Sequence, residues 1–281
     1  MIIMADTLVT GSEFVLALSR VNRWGSTKVA DYVARHGYDL EECINFLEIE
    51  LESSDFSAYK RNLETAREEL EANKAKHIDS ISLFDEAFPK KLCEAKEPVV
   101  HLYYIGNIDL LSTKCVAIIG TRDPNEPFIT LGGTATRYLA SKGLTIVSGL
   151  ALGCDTIAHK TTLDVGGKTI AILPSSLDKV MPTQNRELAR EIVKNGGLVI
   201  SEYSVTSSMN KFNYPQRDRI QSLLSDLMLI IQSTDDGGTM IAARKSIKDG
   251  KPVYAITGNI LSLVGNYLDP NKKEELEKFV N

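Results

Sequence analysis

Short, mostly apolar runs recur through the later part of the chain and alternate with stretches whose apolar residues follow helical spacing. Such runs are typical of strands that are buried on both faces of a parallel sheet. They lie at Cys115–Ile119, Leu144–Val147, Thr169–Leu173, Leu198–Ser201, Leu227–Ile231 and Val253–Ile256. The helical stretches lie near Thr130–Lys142, Asp155–Asp164, Asn185–Asn195, Gln216–Leu224 and Thr239–Lys248. The alternation predicts an α/β fold with a Rossmann-like, doubly wound, mainly parallel sheet.

The first part of the chain follows a different pattern, that of short amphipathic helices. Between residues 10 and 52, apolar side chains recur at helical spacing, with breaks at Gly25 and Gly37. The segment Ser57–Lys76 is so polar that it predicts one exposed helix held by charge pairs. We therefore predict a small helical N-terminal domain at residues 1–80, a Rossmann-like domain at 81–268 and a polar tail at 269–281.

Composition narrows the class of protein further. The 281 residues are 43% hydrophobic and 25% charged, as in soluble globular proteins, and no apolar run is long enough to span a bilayer. The N-terminus lacks the basic and apolar pattern of a secretion signal. The four cysteines are scattered without a CxxC pair, which indicates neither a metal site nor a disulfide framework. We expect a cytoplasmic protein that needs no metal, cofactor or membrane.

The net charge of −5 disfavours nucleic acid as a partner, but the acidic residues are unevenly distributed along the chain. Residues 1–80 hold 9 Lys and Arg against 15 Asp and Glu, whereas residues 81–268 hold 20 against 18. A local basic groove in the later part of the chain is therefore compatible with the overall charge.

Two predicted strands end in loops suited to anions. The first ends in Gly120-Thr121-Arg122, where Gly120 lets the backbone approach a ligand and Arg122 can pair with a phosphate. A tight turn with a surface arginine is the alternative. The fifth strand leads to Gly237-Gly238-Thr239, which offers amides and a hydroxyl at a helix start, or is a plain helix start after a glycine turn. Neither a dinucleotide fingerprint nor a P-loop is present.

The loop after the second strand is bracketed by Gly149 and Gly153 and also suits an anion. Asp155 is placed to cap the following helix, and His159 lies one turn further on the same face. Because no serine or cysteine nucleophile is tied to this pair, we assign Asp155 and His159 a structural or site-supporting role. The alternative is a weak catalytic pair.

The segment Lys211–Arg219 combines cations with aromatic rings around a helix start. Cations in the first turn of a helix oppose its dipole, and a bound anion would compensate for that placement. Lysine, arginine and aromatic residues together are also the composition of single-strand-binding surfaces, where phosphates meet cations and bases stack on rings. Alternatively, Asp218 pairs with a neighbouring arginine in a structural bridge.

Together these loops resemble the DNA-processing protein A (Smf) family. Its pattern runs G-S/T-R, S-G-L-A-x-G-x-D-x-x-A-H, S-E, F-P-x-R-N-R, S-G-S/T and P-G-N. The corresponding segments are Gly120–Arg122, Ser148–His159, Ser201–Tyr203, Tyr214–Arg219, Gly237–Thr239 and Thr257–Asn259. The resemblance covers roughly residues 82–266. Three positions depart from it: Leu152 stands where a cation is often found, Asp218 replaces asparagine, and Thr257 replaces proline.

The resemblance implies a Rossmann-like homodimer that binds single-stranded DNA and helps to load a RecA-type recombinase during natural transformation. The N-terminal helices resemble the sterile-alpha-motif-like or helix-hairpin-helix-like extension of that family. We expect no catalytic residue, and we expect the dimer interface in the C-terminal half of the Rossmann-like domain. The expected nucleic-acid contacts are Arg122, Lys211, Phe212, Arg217 and Arg219.

Two other functions belong to the same wider group of folds. The phosphoribohydrolases resembling lysine decarboxylases carry a glutamate soon after their P-G-G-x-G-T motif, whereas here Met240–Ala243 follows without a carboxylate. A sensor that binds an ADP-ribose-like nucleotide in the same loops is the other alternative.

Overall fold

The computed structural model describes residues 8–234 and 237–257, and the backbone of residues 259–263. The predicted tail at 269–281 and Gly258 lie outside these residues. Two compact units are present. The first comprises the residues up to Tyr104 together with Glu202–Ser207, and the second comprises Ile105–Ser201 and the residues from Ser208 on. The first unit thus continues beyond residue 80, where the sequence-based boundary was placed.

The first unit is mainly helical. Thr10 and Glu13 form a capping box that starts its first helix, and Gly37 adopts a left-handed φ of 64° between its second and third helices. Gly25 is the N-cap of the second helix, so the predicted breaks at Gly25 and Gly37 are confirmed. An antiparallel pair of strands, Asp79–Ser82 with His101–Gly106, was not predicted. The elements are α1 Gly11–Ser19, α2 Ser26–Arg35, α3 Leu40–Glu50, α4 Ser53–Lys74, β1 Asp79–Ser82, α5 Lys90–Cys93 and β2 His101–Gly106.

Helix α4 is not the exposed helix that its polarity predicted. A narrow stripe at helical spacing is buried against the rest of the unit. Two polar residues belong to this stripe: Glu69 pairs with Arg20 and accepts the hydroxyl of Tyr103, and the Asn73 amide donates to Ser204 at 2.7 Å. The stripe was missed because the charged residues around it dominate the average hydropathy of the segment. It consists of Phe56, Tyr59, Leu63, Ala66, Glu69 and Asn73.

The second unit contains the predicted doubly wound sheet. All six predicted strands and all five intervening helices are present, and none of their ends is more than three residues from its expected position. The sequence did not predict the antiparallel strand that follows them. The strands are β3 Cys115–Ile119, β4 Thr145–Ser148, β5 Thr169–Ile172, β6 Leu198–Ser201, β7 Leu227–Ile230, β8 Val253–Thr257 and β9 Asn259–Leu263. The helices are α6 Phe128–Ser141, α7 Cys154–Asp164, α8 Arg186–Lys194, α9 Asn213–Leu224 and α10 Gly238–Lys248, with single 3₁₀ turns at Ile108–Ser112 and Thr183–Asn185.

Alternate residues of the central strand β3 face two separate cores. Val116 and Ile118 of β3 face a cluster that includes Leu139 of α6 and Ala158 of α7. Ala117 of β3 faces the other side, with Ala243 of α10. Because both faces are covered, every position of β3 to β7 is buried, which explains their continuous apolar runs.

The order of the strands fixes the place of a site. Within the second unit the order is β6-β5-β4-β3-β7-β8-β9, parallel except for β9. The chain therefore winds outward from β3 to β6 and then returns to place β7 on the other side of β3. Loops diverge to opposite faces at such a reversal, and the crevice between them at the carboxyl ends of the strands is where open α/β sheets bind ligands.

Candidate functional site

A cavity of about 370 Å³ opens at this reversal. Its walls come from the loops that follow β3, β4 and β7, from the first turns of α7 and α10, and from one face of α9. Many of the predicted anion-site residues line it: Gly120, Thr121, Arg122, Asp155, Arg217, Gly237, Gly238 and Thr239. Other predicted residues do not line it: Gly149, Gly153, His159, Lys211, Phe212 and Arg219. The lining also includes residues that were not assigned to the site from the sequence, among them Tyr214, Asp218 and Gln221 of α9.

The loop after β3 is held by close backbone contacts. A side chain on Gly120 would place Cβ 2.4 Å from Sγ of Cys154, so only glycine fits. The Thr121 N–H donates to the carbonyl of Gln232 at 2.7 Å, and the Thr121 carbonyl accepts from the Cys154 N–H at 3.1 Å. Arg122 follows with an exposed side chain whose guanidinium lies 5.4 Å from the ring centre of Tyr214. The backbone is fixed, and the cation remains accessible.

The loop after β4 contains two left-handed residues, Leu150 at φ 57° and Gly153 at φ 75°. Leu150 is not a glycine, and its conformation carries strain that the surroundings must hold. Asn185 supplies that support, because its amide donates to the carbonyls of Leu150 at 2.8 Å and Ala151 at 3.1 Å. Asn185 was missed because nothing in its sequence context links it to a loop so far along the chain.

Asp155 supports this loop in a different way from the one predicted. It was expected to be the N-cap of α7, but Gly153 occupies that position and the helix begins at Cys154. The carboxylate instead accepts the N–H groups of Gly149 at 3.1 Å and Ala151 at 3.2 Å. Burial raises the pKa of Asp155, while Arg217 and the amides oppose the shift.

His159 is a core residue. The Thr169 hydroxyl donates to the carbonyl of Ile146, so it accepts the proton on Nδ1 of His159 at 2.7 Å. Nε2 is buried without a hydrogen-bond partner among the described residues. Burial, together with the charge of Arg217, lowers the pKa of His159 from 6.5 to about 3. The imidazole is therefore neutral at physiological pH.

Arg217 is the centre of a buried network beneath the cavity. Its side chain is 7% exposed and lies directly on Gly149, where any Cβ would fall 1.1 Å from Nη1. Nη1 donates to the carbonyl of Ile172 at 3.3 Å and lies 3.9 Å from Oδ2 of Asp155. One arginine thus joins α9 to the ends of β4 and β5 and to the start of α7. We call Arg217, Gly149, Asp155 and Gln221 the buried hub.

Asp218 and Gln221 complete this arrangement on α9. Nε of Arg217 lies 2.9 Å from Oδ1 of Asp218, close enough for an ion pair although not aligned for a hydrogen bond. In the amide orientation that satisfies both ends, Gln221 donates to Oδ1 of Asp218 at 3.1 Å and accepts the Gly149 N–H at 2.9 Å. The bridge between Asp218 and an arginine, one of the two sequence-based alternatives, is therefore present. Gln221 follows Arg217 by one helical turn, a spacing that was available in the sequence.

The cationic segment Lys211–Arg219 is divided by its own helix. Lys211 and Phe212 are exposed, Phe212 to 69%, and the Lys211 ammonium lies 5.4 Å from the Phe212 ring centre. Arg217 and Arg219 are each only 6% exposed, and Arg219 donates to the carbonyl of Gln216 at 3.3 Å. Direct phosphate contacts from the two buried arginines remain a prediction. We call Arg122, Lys211 and Phe212 the exposed rim.

Helix α10 begins at the edge of the cavity. Gly237 is its N-cap, and no side chain of the described residues caps its first turn. Backbone N–H groups at an uncapped helix start attract anions. Across the described residues, no three His, Cys, Asp or Glu side chains are grouped as a metal site would require. None of the helices in the part of the chain that the structure describes combines the length and apolarity needed to cross a membrane.

Comparison with known proteins agrees with this fold. The family described as DNA recombination-mediator protein A matches residues 79–266, which is most of the chain. The protein therefore belongs to that family, as its loop motifs predicted.

Individual relatives are moderately similar. The chain is 36% identical over 182 residues to the DNA processing protein DprA of Streptococcus pneumoniae and 35% identical over 191 residues to the protein Smf of Synechocystis. These alignments cover 65% and 66% of this chain, but only 64% and 48% of the relatives. The chain thus matches about half to two-thirds of the length of these relatives.

Two solved structures are similar as well. The crystal structure of DNA processing protein A from Streptococcus pneumoniae superposes with a TM-score of 0.73 at 26% identity, covering 97% of this chain and 94% of the other. DNA processing protein A from Helicobacter pylori, described for its single-stranded DNA binding mode, superposes with a TM-score of 0.58 at 36% identity. That match covers 73% of this chain and 90% of the other. The Rossmann-like fold predicted from the sequence is confirmed.

Proposed function

We propose that the protein binds single-stranded DNA through the cavity at the strand reversal and the exposed rim, without catalysing a reaction on it. The main support for this proposal is the cavity itself, which is lined by the exposed Arg122 and by the uncapped start of α10. Both attract phosphate, one by charge and the other by oriented N–H groups. Lys211 adds a second accessible cation.

The aromatic residues suit the bases of an unpaired strand. Tyr214 lines the cavity, and Phe212 presents a largely exposed ring beside Lys211. Stacking on such rings is available to every base once the strand is unpaired, and it is blocked within a duplex. The combination of rings with phosphate-binding groups therefore favours single strands. It also supports applying to this chain the binding activity named for the Helicobacter pylori relative.

Binding to matched single-stranded and duplex oligonucleotides, followed by fluorescence anisotropy over a range of salt concentrations, tests the proposal. We expect tighter binding to the single strand and a linear fall of log affinity with log salt. Arg122→Ala should weaken binding and reduce the slope by about 0.7, the value for one phosphate contact on a single strand. Arg137→Ala removes another exposed arginine, from α6, which does not line the cavity, and serves as the control. Equal or tighter duplex binding overturns the proposal.

The wider role follows from family membership and has its own tests. We propose that the protein acts in the cytoplasm as a homodimer and loads a RecA-type recombinase onto incoming strands during natural transformation. Sedimentation should show a dimer at roughly micromolar concentration. A monomer at that concentration contradicts the dimer. Filament assembly by a recombinase on protein-covered strands should be faster with this protein than without it, and no acceleration contradicts the loading role.

One observation favours a second candidate, a sensor of small nucleotides. A cavity of about 370 Å³ lies within the size range of small-molecule sites. Native mass spectrometry of the purified protein distinguishes the two functions, because a retained nucleotide supports the sensor. Turnover of nucleotides by the wild-type protein, lost in Asp218→Asn, would instead support an enzyme.

A further inference from the structure

Asp218 is an unexpected residue for a site that attracts phosphate. It lines the cavity together with Arg122 and the start of α10, and its side chain is 27% exposed. A carboxylate at this position repels a phosphate that approaches it closely. Asp155 also lines the cavity, but its carboxylate already accepts two backbone N–H groups. Asp218 is thus a second carboxylate in a cavity where Arg122 and the start of α10 attract phosphate.

The two oxygens of Asp218 have different surroundings. Oδ1 faces Nε of Arg217 and the amide of Gln221. Oδ2 has no hydrogen-bond partner among residues 8–234 and 237–257. Burial raises the pKa of Asp218, while Arg217 and then Arg122 act against the shift. The surrounding cations therefore compensate the carboxylate only in part, and a donor from a ligand would stabilise it.

The positions of the charges indicate that the phosphate and the base of a nucleotide bind to different sides of the cavity. Phosphate is attracted to the loop after β3 and to the start of α10, whereas Asp218 repels it from the α9 face of the cavity. Tyr214 lies one turn before Asp218 on the same helix and also lines the cavity, so a base that stacks on its ring is placed beside the Asp218 carboxylate. The base edge is then the part of the ligand that meets the carboxylate.

Bases differ in what they offer to an acceptor. Cytosine presents its N4 amino group as a donor, and carboxylates accept from this group, whereas thymine presents the O4 carbonyl at the equivalent position. A carbonyl facing a carboxylate is repelled, and the hydrogen bond is lost. Cytosine and thymine have the same ring size, so stacking on Tyr214 hardly distinguishes them.

We infer that Asp218 is a specificity-determining residue, which makes the cavity favour a base with an amino donor, such as cytosine, over thymine. The inference rests on the proposed single-strand binding and adds a base preference to it. The expected preference for oligo(dC) over oligo(dT) is roughly tenfold, the effect of one hydrogen bond to a charged group.

The test compares oligo(dC) and oligo(dT) of equal length, at neutral pH and fixed salt, by fluorescence anisotropy. Wild-type protein should favour oligo(dC). In Asp218→Asn, the amide can donate as well as accept, so the preference should fall to within about twofold. Asp123→Asn removes the same charge from an exposed position in the loop after β3, and Asp123 does not line the cavity. In this control, the affinities for oligo(dC) and oligo(dT) should change by the same factor, so that their ratio stays unchanged.

A second measurement does not depend on the variant. Free dCMP and dTMP compete against a labelled mixed-sequence strand on the wild-type protein, and dCMP should compete better. Equal affinity of the wild type for oligo(dC) and oligo(dT), or a ratio that survives in folded Asp218→Asn, overturns the inference alone. If the wild type binds neither oligomer more tightly than duplex DNA, the proposed function fails first.

Discussion

The buried hub and the exposed rim take residues from the same short segment of sequence, yet they differ in nearly every physical property. Lys211 and Phe212 of the rim are open to solvent, whereas Arg217 of the hub, half a dozen residues later, is 7% exposed and lies on Gly149. In the sequence they form one cationic and aromatic run. In the fold, the start of α9 turns the first part outward and the second part under the cavity.

This difference separates two ways of contributing to a binding site. A rim cation acts directly and is screened by salt, so its removal changes affinity and salt dependence but hardly affects stability. A hub residue holds the loops that shape the cavity, so its removal changes stability first and binding as a consequence. Measuring stability and DNA affinity on the same variant therefore distinguishes a residue of the buried hub from one of the exposed rim.

The largest expected effect comes from removing the central hub residue. Arg217→Ala leaves Asp155 buried without its cation and opens the space over Gly149, so we expect a loss of about 3–5 kcal/mol in the free energy of unfolding. Urea denaturation measures it. Lys211→Ala, from the same segment, should stay within about 0.5 kcal/mol of the wild type. Similar stability of the two variants would remove the distinction between hub and rim.

A smaller loss is expected when the hub is overfilled. Gly149→Ala places Cβ 1.1 Å from Nη1 of Arg217, so the arginine must move and the free energy of unfolding should fall by about 1–3 kcal/mol. Gly238→Ala is the matched control, because nothing lies within 4 Å of its Cβ position and its φ is not left-handed. The hub geometry is contradicted if both variants are equally stable.

Acid should weaken the region around the hub. The pKa of His159 is about 3 when folded and 6.5 in its ordinary state, so between these values the unfolded state binds more protons. The free energy of unfolding should therefore fall as the pH decreases from about 6.5 towards 3, by at most about 1.4 kcal/mol per pH unit. His159→Asn should remove this contribution, measured by hydrogen exchange of the amides in β4 and β5.

Asp155 affects the pH dependence of the free energy of unfolding with the opposite sign, because its pKa is raised. The test therefore compares the pH profile of the wild type with that of His159→Asn. His77→Asn replaces an exposed histidine of the first unit and controls for the substitution itself. An unchanged pH profile in His159→Asn would show that another group governs the acid sensitivity of β4 and β5.

The smallest effects on stability, and the clearest on binding, belong to the rim. Lys211→Ala should lower the salt slope of single-strand binding by about 0.7. Phe212→Ala should weaken binding without changing the slope, since a ring stacks on bases and releases no counterions. Anisotropy over a salt series measures both. A slope that changes in Phe212→Ala but not in Lys211→Ala would reverse the assigned roles.

Much of the fold was readable from the sequence, because its signals are local. Each strand from β3 to β8 is a continuous apolar run, and each intervening helix shows its own spacing. The loops at the carboxyl ends could be grouped into one site because parallel strands share that edge. Helix α4 was misread, because its buried stripe includes Glu69 and Asn73, polar residues whose partners come from elsewhere in the first unit.

The sequence by itself determined the alternation of strands and helices, the glycines where backbones meet, and the family motifs. Only the tertiary structure decided that β7 returns beside β3, which loops form the cavity, and which arginines of one run are buried. It also decided that Asn185 supports Leu150 and that Asp218 keeps an oxygen without a partner among the described residues. The reason is physical. Periodicity and turn chemistry act between neighbours along the chain, whereas burial and pairing depend on residues that meet only when the sheet is assembled.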